Sequence, residues 1–156
     1  MMGTPRKSKK KYRTPKHPWA ATKIQEEKKI VRDYGLKNKR ELWRAATILR
    51  NYHRQARKLL VLGSDFAENA GKQIFESMLK NRLLKEGGNL DNILTLKIEN
   101  ILDRRLQTIV YKKGFANTLK HSRQLIVHGH VTVNGGKVTA PSYMVKAIEE
   151  DSIKVI

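Results

Sequence analysis

The sequence predicts an α+β protein that is mostly helical and ends in a small curled sheet. From about residue 20 to residue 128, apolar residues recur at helical spacing. Beyond Gly129 the period changes, because Val131 and Val133 alternate as in a strand and Asn134-Gly135 marks a hairpin turn. The chain also carries 33 Lys and Arg against 14 Asp and Glu, a formal charge of +19. So positive a chain repels itself, which indicates a polyanionic partner.

Composition excludes several classes of protein. At 156 residues the chain is one domain, or one domain with a smaller lobe and tails. It has no cysteine, which excludes disulfides, cysteine-ligated zinc and thiol chemistry. We find neither an apolar run of membrane-spanning length nor the apolar core of a signal peptide, so we expect a cytoplasmic protein with no membrane partner.

The charge is unevenly distributed. Residues 1–60 hold 19 basic and 4 acidic side chains, a net charge of +15, and the rest hold 14 and 10, a net charge of +4. The second part has its own asymmetry, since no acid lies between Asp103 and Glu149. We therefore expect a cationic surface in each part of the chain.

Residues 1–18 are predicted to form an extended basic arm. The stretch Gly3–Trp19 has three prolines, seven basic residues and no acid, so it cannot fold alone and should become ordered only against a partner. A solvated tail or a nuclear-import signal remain alternatives, but the aromatic rings among the cations favour stacking on nucleic acid. The predicted nucleic-acid contacts of the arm are Lys9, Lys10, Lys11, Tyr12, Arg13 and Lys16.

Residues 19–97 are predicted to form a helical lobe that binds the phosphates of a polyanion. One helix runs from Ala20 to Tyr34 and ends at Gly35, and a second is capped by Asn38 and continues to about Leu62. The second helix gathers its apolar side chains on one side: Leu42, Ala45, Leu49, Tyr52, Ala56, Leu59 and Leu60. The opposite side carries Arg40, Arg44, Asn51, Arg54 and Lys58, with Glu41 as its one acid. An ordinary solvated face would interleave more Glu with its Lys, so we expect the cations to face phosphate.

A third helix is expected from Ser64 or Asp65 to about Lys85, with Glu68 placed for a capping box. Its core side is predicted to comprise Ala67, Ala70, Ile74, Met78 and Leu79. A connector, Glu86–Asn92, should follow it.

Residues 98–156 are predicted to form a module of two helices and the small sheet. The first helix is predicted from about Ile98 to Lys113. Its inward residues should be the apolar Leu102, Leu106, Ile109 and Val110. Its outward residues should be Arg104, Gln107, Thr108 and Tyr111, with Arg105 and Lys112 at the boundary. The second, about Thr118 to His128, should bury Leu119, Ser122, Leu125 and Ile126 and expose Lys120, His121, Arg123, Gln124 and His128. Gly129 suits the left-handed position after a helix, and Ser152–Val155 could close the sheet.

The stretch "ILDRRLQTIVYKKGFANTLKHSRQLIVHGHVTVNGGKV" resembles the RNA-binding module named after small-subunit ribosomal protein four. Its "RRL", "SRQLI" and "HGHVTVNG" stand in the order that the family shows. "KKYRTPKHPW", "YGLKNKRELWRA" and "RQARKLL" resemble the archaeal and eukaryotic branch of the same family. The resemblance thus extends over nearly the whole chain, although the zinc knot of some bacterial relatives cannot form without cysteine.

The resemblance implies a structural constituent of the small ribosomal subunit. It would bind small-subunit rRNA at a multi-helix junction and nucleate subunit assembly. It would lie near the channel through which mRNA enters, beside ribosomal protein five and also ribosomal protein three, in the ribosome-bound state. The module would contact RNA through Arg104, Arg105, Lys112, Lys113, Lys120, His121, Arg123, Gln124, His128, His130, Asn134 and Lys137.

Other functions fit these residues less well. The same module is appended to RNA pseudouridine synthases and some tRNA synthetases, but residues 1–95 are too short and too basic for a catalytic domain. Ser122 and His121 point about 100° apart on a helix and no acid orients the imidazole, so we expect no enzyme and no cofactor. The histidines lack the carboxylate or cysteine that usually completes a metal site. A pre-rRNA processing factor, or a rescue protein for stalled large subunits, remains the alternative.

Overall fold

A computed structural model of the chain describes residues 10–61, 64–84 and 90–156, except for the side chains of residues 64–70. Its helices are α1 (Ala21–Asp33), α2 (Lys39–Val61), α3 (Ser64–Lys80), α4 (Leu90–Leu94), α5 (Ile98–Asp103), α6 (Leu106–Lys112) and α7 (Leu119–Val127). Its strands are β1 (Val131–Val133), β2 (Gly136–Lys137) and β3 (Lys154–Val155), with a 3-10 turn at Ala147–Glu149. The mostly helical α+β prediction is confirmed. Across the described ranges, no helix is both long and apolar enough to cross a membrane.

The junction between α1 and α2 forms as its sequence predicts. Gly35 has φ +56°, a left-handed conformation that ends α1. The side chain of Asn38 then accepts a hydrogen bond from the Glu41 backbone N–H, at 3.2 Å, and so satisfies one of the free amides at the start of α2. The cap fixes where α2 begins, and hence which of its side chains face inward.

The first core lies between α2 and its neighbours α1, α3, α4 and α5. Five of the seven apolar residues predicted on the inner side of α2 are buried: Leu42, Ala45, Leu49, Ala56 and Leu59. Tyr52 is partly buried against them. The prediction that Leu60 faces the core is wrong, because it is 51% exposed in the last turn of α2. Of these two neighbouring leucines, only Leu59 is buried.

Helix α3 is shorter than its periodicity predicts. It ends at Lys80 rather than near Lys85, because Arg82 adopts a left-handed φ of +50° and Leu83 N–H bonds back to the Met78 carbonyl at 2.9 Å. On its core side Met78 is fully buried and Ile74 partly so. Leu79 is half-buried. The predicted contacts of Ala67 and Ala70, the capping box of Glu68 and most of the Glu86–Asn92 connector lie outside the described residues, and α4 begins at Leu90.

The predicted helix Ile98–Lys113 is in fact two helices, α5 and α6. Between them Arg105 is extended, with φ −74° and ψ 142°, and pairs as an isolated antiparallel bridge with Met144. The Leu106 N–H donates to the Tyr143 carbonyl at 2.8 Å, and the Val145 N–H donates to the Arg104 carbonyl at 3.0 Å. The helix breaks because the backbone here takes its hydrogen bonds from a segment about forty residues later.

The second core lies under α6, α7 and the sheet. Leu106, Ile109, Val110 and Ile126 are buried as predicted, together with Val131, Val133, Val145 and Ile153. Strand β1 lies in the middle of the sheet, antiparallel to β2 on one side and to β3 on the other. The hairpin prediction is confirmed: Asn134 at φ +50° and Gly135 at φ +77° have the two positive φ values of a tight primed turn.

The division of the chain into residues 1–18, 19–97 and 98–156 stays a prediction. Ile101 and Leu102 of α5 are buried in the first core, whereas Leu106 of α6 begins the second. Packing therefore favours a boundary at the helix break rather than before Ile98.

Residues 10–20 contain neither helix nor strand, yet they lie against α2. The Tyr12 ring is centred 5.9 Å from the Trp43 ring, and the Arg13 N–H donates to the Thr47 hydroxyl at 3.1 Å. Lys10 places its ammonium 4.6 Å from the centre of the Tyr12 ring. Aromatic packing on α2 thus positions this part of the arm, and the expectation that the arm orders only against a partner stays a prediction.

Gly35 offers a test of how closely the first helices approach α7. A Cβ at this position would lie 3.0 Å from the Leu119 Cβ and 3.3 Å from the Gln107 Nε2, on a left-handed backbone. Gly35→Ala should therefore lower the free energy of unfolding by about 2–4 kcal/mol, through backbone strain and overpacking together. Denaturant titration measures the change.

Gly114→Ala is the matched control for that substitution. Gly114 shares a left-handed φ of +77°, but its added Cβ would meet no atom within 4 Å. It should cost only the strain, about 1–2 kcal/mol. Equal losses in the two variants would show that α7 does not approach Gly35 as described.

Candidate nucleic-acid interface

Glu41 lies at the centre of the contact between the helical lobe and the module. Its Oε2 accepts from Arg105 Nη2 at 2.8 Å, and its Oε1 accepts from Arg123 Nη2 at 2.8 Å. A further bond from Arg123 Nη1 to Oε2 measures 3.2 Å. The Glu41 side chain is only 13% exposed. Glu41 was expected on the exposed cationic side of α2, and that expectation is wrong because it turns toward two guanidinium groups of the module.

Gln107 extends this contact into the interior. Its Nε2 donates to the carbonyls of Leu119 and Gly35, at 2.9 and 3.1 Å, and its Oε1 accepts from Arg123 at 3.4 Å. The Ser122 hydroxyl donates to the Gln107 carbonyl at 2.6 Å. Gln107 is 1% exposed, so its predicted outward position is wrong. One amide thus connects the end of α1 to the start of α7.

Thr108 is also buried rather than outward, because its hydroxyl donates to the Leu102 carbonyl at 2.8 Å. The bond spans the α5–α6 break and adds to the backbone bond that the Leu102 carbonyl accepts from the Arg105 N–H at 3.2 Å. The outward face predicted for α6 is therefore largely an inner face. Tyr111, at its far end, is exposed as expected.

Glu150 forms a second ionic contact on the other side of the break. Its Oε2 accepts from Arg104 at 2.9 Å and from Arg82 at 3.1 Å. Lys113 donates to the Glu150 backbone carbonyl and lies 3.9 Å from the Asp151 carboxylate. Glu150 therefore ties the turn after α3 to the α5–α6 break and to the end of α6.

Arg104 was predicted to face outward and Arg105 to lie at the boundary of the helix, and both placements are wrong. Their side chains are 12% and 8% exposed, and each is paired with a carboxylate from a distant part of the chain. Arg104 also donates to the Val145 carbonyl at 3.0 Å. The backbone break turns both side chains away from solvent, so little of either guanidinium is left for a phosphate.

The surrounding charges hold these carboxylates ionised. Burial alone would raise the pKa of Glu41, but hydrogen bonds and positive charge from Arg123 and Arg105 outweigh burial and hold that pKa below its ordinary value. The pKa of Glu150 is lowered in the same way, since Arg104 outweighs the effect of burial. Both ion clusters are thus charged throughout the neutral range.

The first of two exposed cationic faces lies on α2, as predicted. Arg40, Arg44, Arg54 and Lys58 are exposed, and none is paired with a carboxylate in the described part of the chain. Arg57 was missed, although it follows Arg54 at helical spacing. It shares a shallow cleft of about 460 Å³ with Arg54, Lys58 and Val61. We call this surface the α2 face.

Cations of the arm add to the positive surface near α2. Lys10, Lys11, Arg13 and Lys16 are exposed, whereas Tyr12 is half-buried. Arg13 and Lys16 line a cleft with residues of α1 and α2, including Trp43 and Arg50. Lys9 lies outside the described residues. The docking of Tyr12 on Trp43 was missed because their attraction depends on the fold rather than on local sequence.

The second exposed face is built from α7 and the hairpin, and we call it the module face. Its exposed members are Lys120, His121, Gln124, His128, His130, Asn134 and Lys137, all predicted contacts. The Thr118 hydroxyl caps α7 by accepting from the His121 N–H at 3.1 Å. Arg123 does not share this face, since it turns toward Glu41. Lys112 is exposed but pairs with Asp103 at 3.1 Å.

Three imidazoles share one recess of the module face. His121, Gln124, Leu125, His128 and His130 line this recess, which has a volume of about 250 Å³. In the portion of the chain that the structure describes, no three His, Cys, Asp or Glu side chains are grouped so that they could hold a metal ion. Polar and apolar surface contribute about equally to the recess, and no described carboxylate lines it.

Comparison with known proteins gives one consistent result. The family model described as "S4 domain" matches residues 104–153. A protein of Methanothermobacter thermautotrophicus is 47% identical over 152 residues, covering 97% of this chain and 89% of the relative. One from Methanococcus maripaludis is 53% identical, covering 99% and 88%, and one from Ignicoccus hospitalis is 45% identical, covering 97% and 92%. Each is named small ribosomal subunit protein uS4.

Glu41→Gln tests the contact between lobe and module. The variant leaves two guanidinium groups without their counter-charge, and we expect the free energy of unfolding at pH 7 to fall by about 2–3 kcal/mol. Because the pKa of Glu41 is lowered on folding, its contribution is present above about pH 4.5 and is lost as pH falls through the folded pKa. The difference between wild type and variant should therefore shrink on acidification.

Glu76→Gln is the control, since Glu76 forms an exposed pair with Lys80 in which both side chains are 66% exposed. It should change stability by about 0.5 kcal/mol at most. Chemical denaturation from pH 7 to pH 3 measures all three proteins. A wild-type and Glu41→Gln difference that stays constant over this range would contradict the assignment.

Proposed function

The chain belongs to the uS4 family of small-subunit ribosomal proteins, and from this we propose that its α2 face and module face bind small-subunit rRNA together. Membership makes it a ribosomal, RNA-binding protein of the translation machinery and not an enzyme. The proposal concerns what the family name leaves open, namely which surfaces contact RNA and how.

The distribution of charge is the observation that carries the proposal. The cations between the lobe and the module are paired with Glu41 and Glu150, so they serve the fold. The cations of the α2 face and the module face are exposed without such partners in the described residues. Phosphates are the partner that such cations suit, because binding releases the counterions of the RNA backbone.

The module face also has groups that could distinguish RNA from other polyanions. Gln124 and Asn134 are exposed beside Lys120 and Lys137. Their amides can donate to and accept from the 2′-hydroxyl or the edge of a base, which a lysine alone cannot do. Cations would therefore provide affinity, and these amides would provide part of the selectivity.

Two RNA-binding faces on one protein suit a junction of several RNA helices better than a single RNA helix. The Glu41 contact fixes α2 relative to α7, so that each face would fix one RNA helix and the protein would set the angle between them. We accordingly propose binding at a multi-helix junction early in subunit assembly. Proximity to ribosomal proteins five and three and to the channel through which mRNA enters rests on the family resemblance, as does a cytoplasmic location.

The processing-factor alternative gains no support. The relatives reported above are named as small-subunit proteins, and they match nearly the whole chain.

Binding of the full chain to a small-subunit rRNA transcript tests the proposal. Affinity should fall steeply between about 50 and 200 mM salt. Replacing Arg54, Lys58 or Lys120 by Gln should each reduce the salt slope by about 1 while changing stability by less than about 0.5 kcal/mol. Fluorescence anisotropy and thermal denaturation measure the two quantities.

Lys80→Gln is the control for these substitutions, because it removes an exposed cation that is already paired with Glu76 on α3. It should alter the salt slope little. A flat salt dependence, or an equal effect of the control, would contradict binding through the two faces. Equal affinity for a large-subunit transcript would restrict the proposal to non-specific RNA binding.

A further inference from the structure

Two imidazole rings stand nearly parallel at the end of α7. The rings of His128 and His130 are inclined by 22° to each other, and their centres are 6.5 Å apart. Rings in face-to-face contact would be separated by about 3.5–4 Å. The two rings thus have nearly the same orientation and are not in close face-to-face contact.

The backbone at Gly129 produces this arrangement. Gly129 has φ +77°, and its N–H bonds to the Ile126 carbonyl at 3.0 Å while the His130 N–H bonds to the Leu125 carbonyl at 2.9 Å. This left-handed turn reverses the chain and brings side chains on either side of the glycine to one surface. The side chain of Lys137 crosses Gly129 so closely that an added Cβ would collide with it. A cation is therefore held beside the two rings.

The orientation of the rings suits a flat aromatic ligand. Such a ligand can stack on an imidazole face, and both rings line the recess of about 250 Å³, with Gln124 and the apolar Leu125 elsewhere on its wall. A phosphate would gain nothing from the ring faces, whereas an aromatic ligand would stack on them.

We propose that the imidazole rings of His128 and His130 stack on one unpaired nucleobase of RNA at this recess, with Gln124 at the base edge and Lys137 near the adjoining phosphate. Unpaired bases are the elements of folded RNA that proteins stack on aromatic side chains and read along their edges. This inference rests on the proposed function, since it specifies which part of the RNA the module face recognises.

Ring-preserving substitutions distinguish stacking from charge. His128→Ala and His130→Ala should each weaken binding of the full chain to the small-subunit rRNA transcript by roughly 5- to 150-fold. His128→Phe and His130→Phe retain a ring without a proton or a charge and should bind within about threefold of wild type. Val127→Ala is the control, because Val127 is exposed beside His128 but does not line the recess. It should bind like wild type, and all variants should melt as wild type does.

The RNA itself supplies the second measurement. The transcripts for it each carry a single abasic site. An abasic site at one unpaired position should weaken binding of the wild-type protein, but it should not further weaken binding of His128→Ala, because ring and base form one contact. Wild-type binding with unchanged affinity in both alanine variants would overturn the inference while leaving the proposed function intact. Loss in the phenylalanine variants equal to that in the alanine variants would also overturn it, because the imidazoles would then act by charge or hydrogen bonding. Absence of wild-type binding would instead refute the proposed function.

Discussion

The carboxylate of Glu41, held between Arg105 and Arg123, is the contact on which the rest of the molecule depends. A carboxylate with so little exposure is tolerated only because two guanidinium groups replace its lost water. The same requirement explains the neighbouring chemistry, since Gln107 bonds to Arg123 on one side and to the Gly35 carbonyl on the other. The lobe and the module are thus joined by directional hydrogen bonds and ion pairs. Such bonds fix the angle between the lobe and the module more strictly than apolar packing would.

This contact also separates the positive charges that stabilise the fold from those that remain exposed. An excess of cations destabilises an isolated protein by self-repulsion, and the interior carboxylates relieve it only for the guanidinium groups that they contact. The α2 face and the module face keep their charge unneutralised by described carboxylates. For a protein of this family, the anion that neutralises these exposed cations is RNA. Folding and binding therefore use different cations, so a mutation can impair one process without the other.

Sequence reasoning succeeded wherever the deciding signal was local. The Asn38 cap, the left-handed Gly129 and the hairpin turn each follow from residues a few positions apart, and all three form. It failed where the partner is distant. The Arg105 backbone is extended and pairs with Met144, and the helical periodicity of the sequence does not indicate that bridge. Glu41 looked like a surface acid because its two partners lie 64 and 82 positions away. The exposed members of the module face were placed correctly, and the two arginines of "RRL" were not, for that same reason.

The most direct test of the account is the distribution of distances between α2 and α7 in the protein free of RNA. Because the chain has no cysteine, Arg54→Cys and Lys120→Cys place one spin label on each face without competing sites. Pulsed electron paramagnetic resonance should give a single narrow distribution, and adding Glu41→Gln should broaden it. A broad distribution in the Glu41 protein, or one that the substitution leaves unchanged, would contradict the claim that this carboxylate holds the two faces in one rigid arrangement.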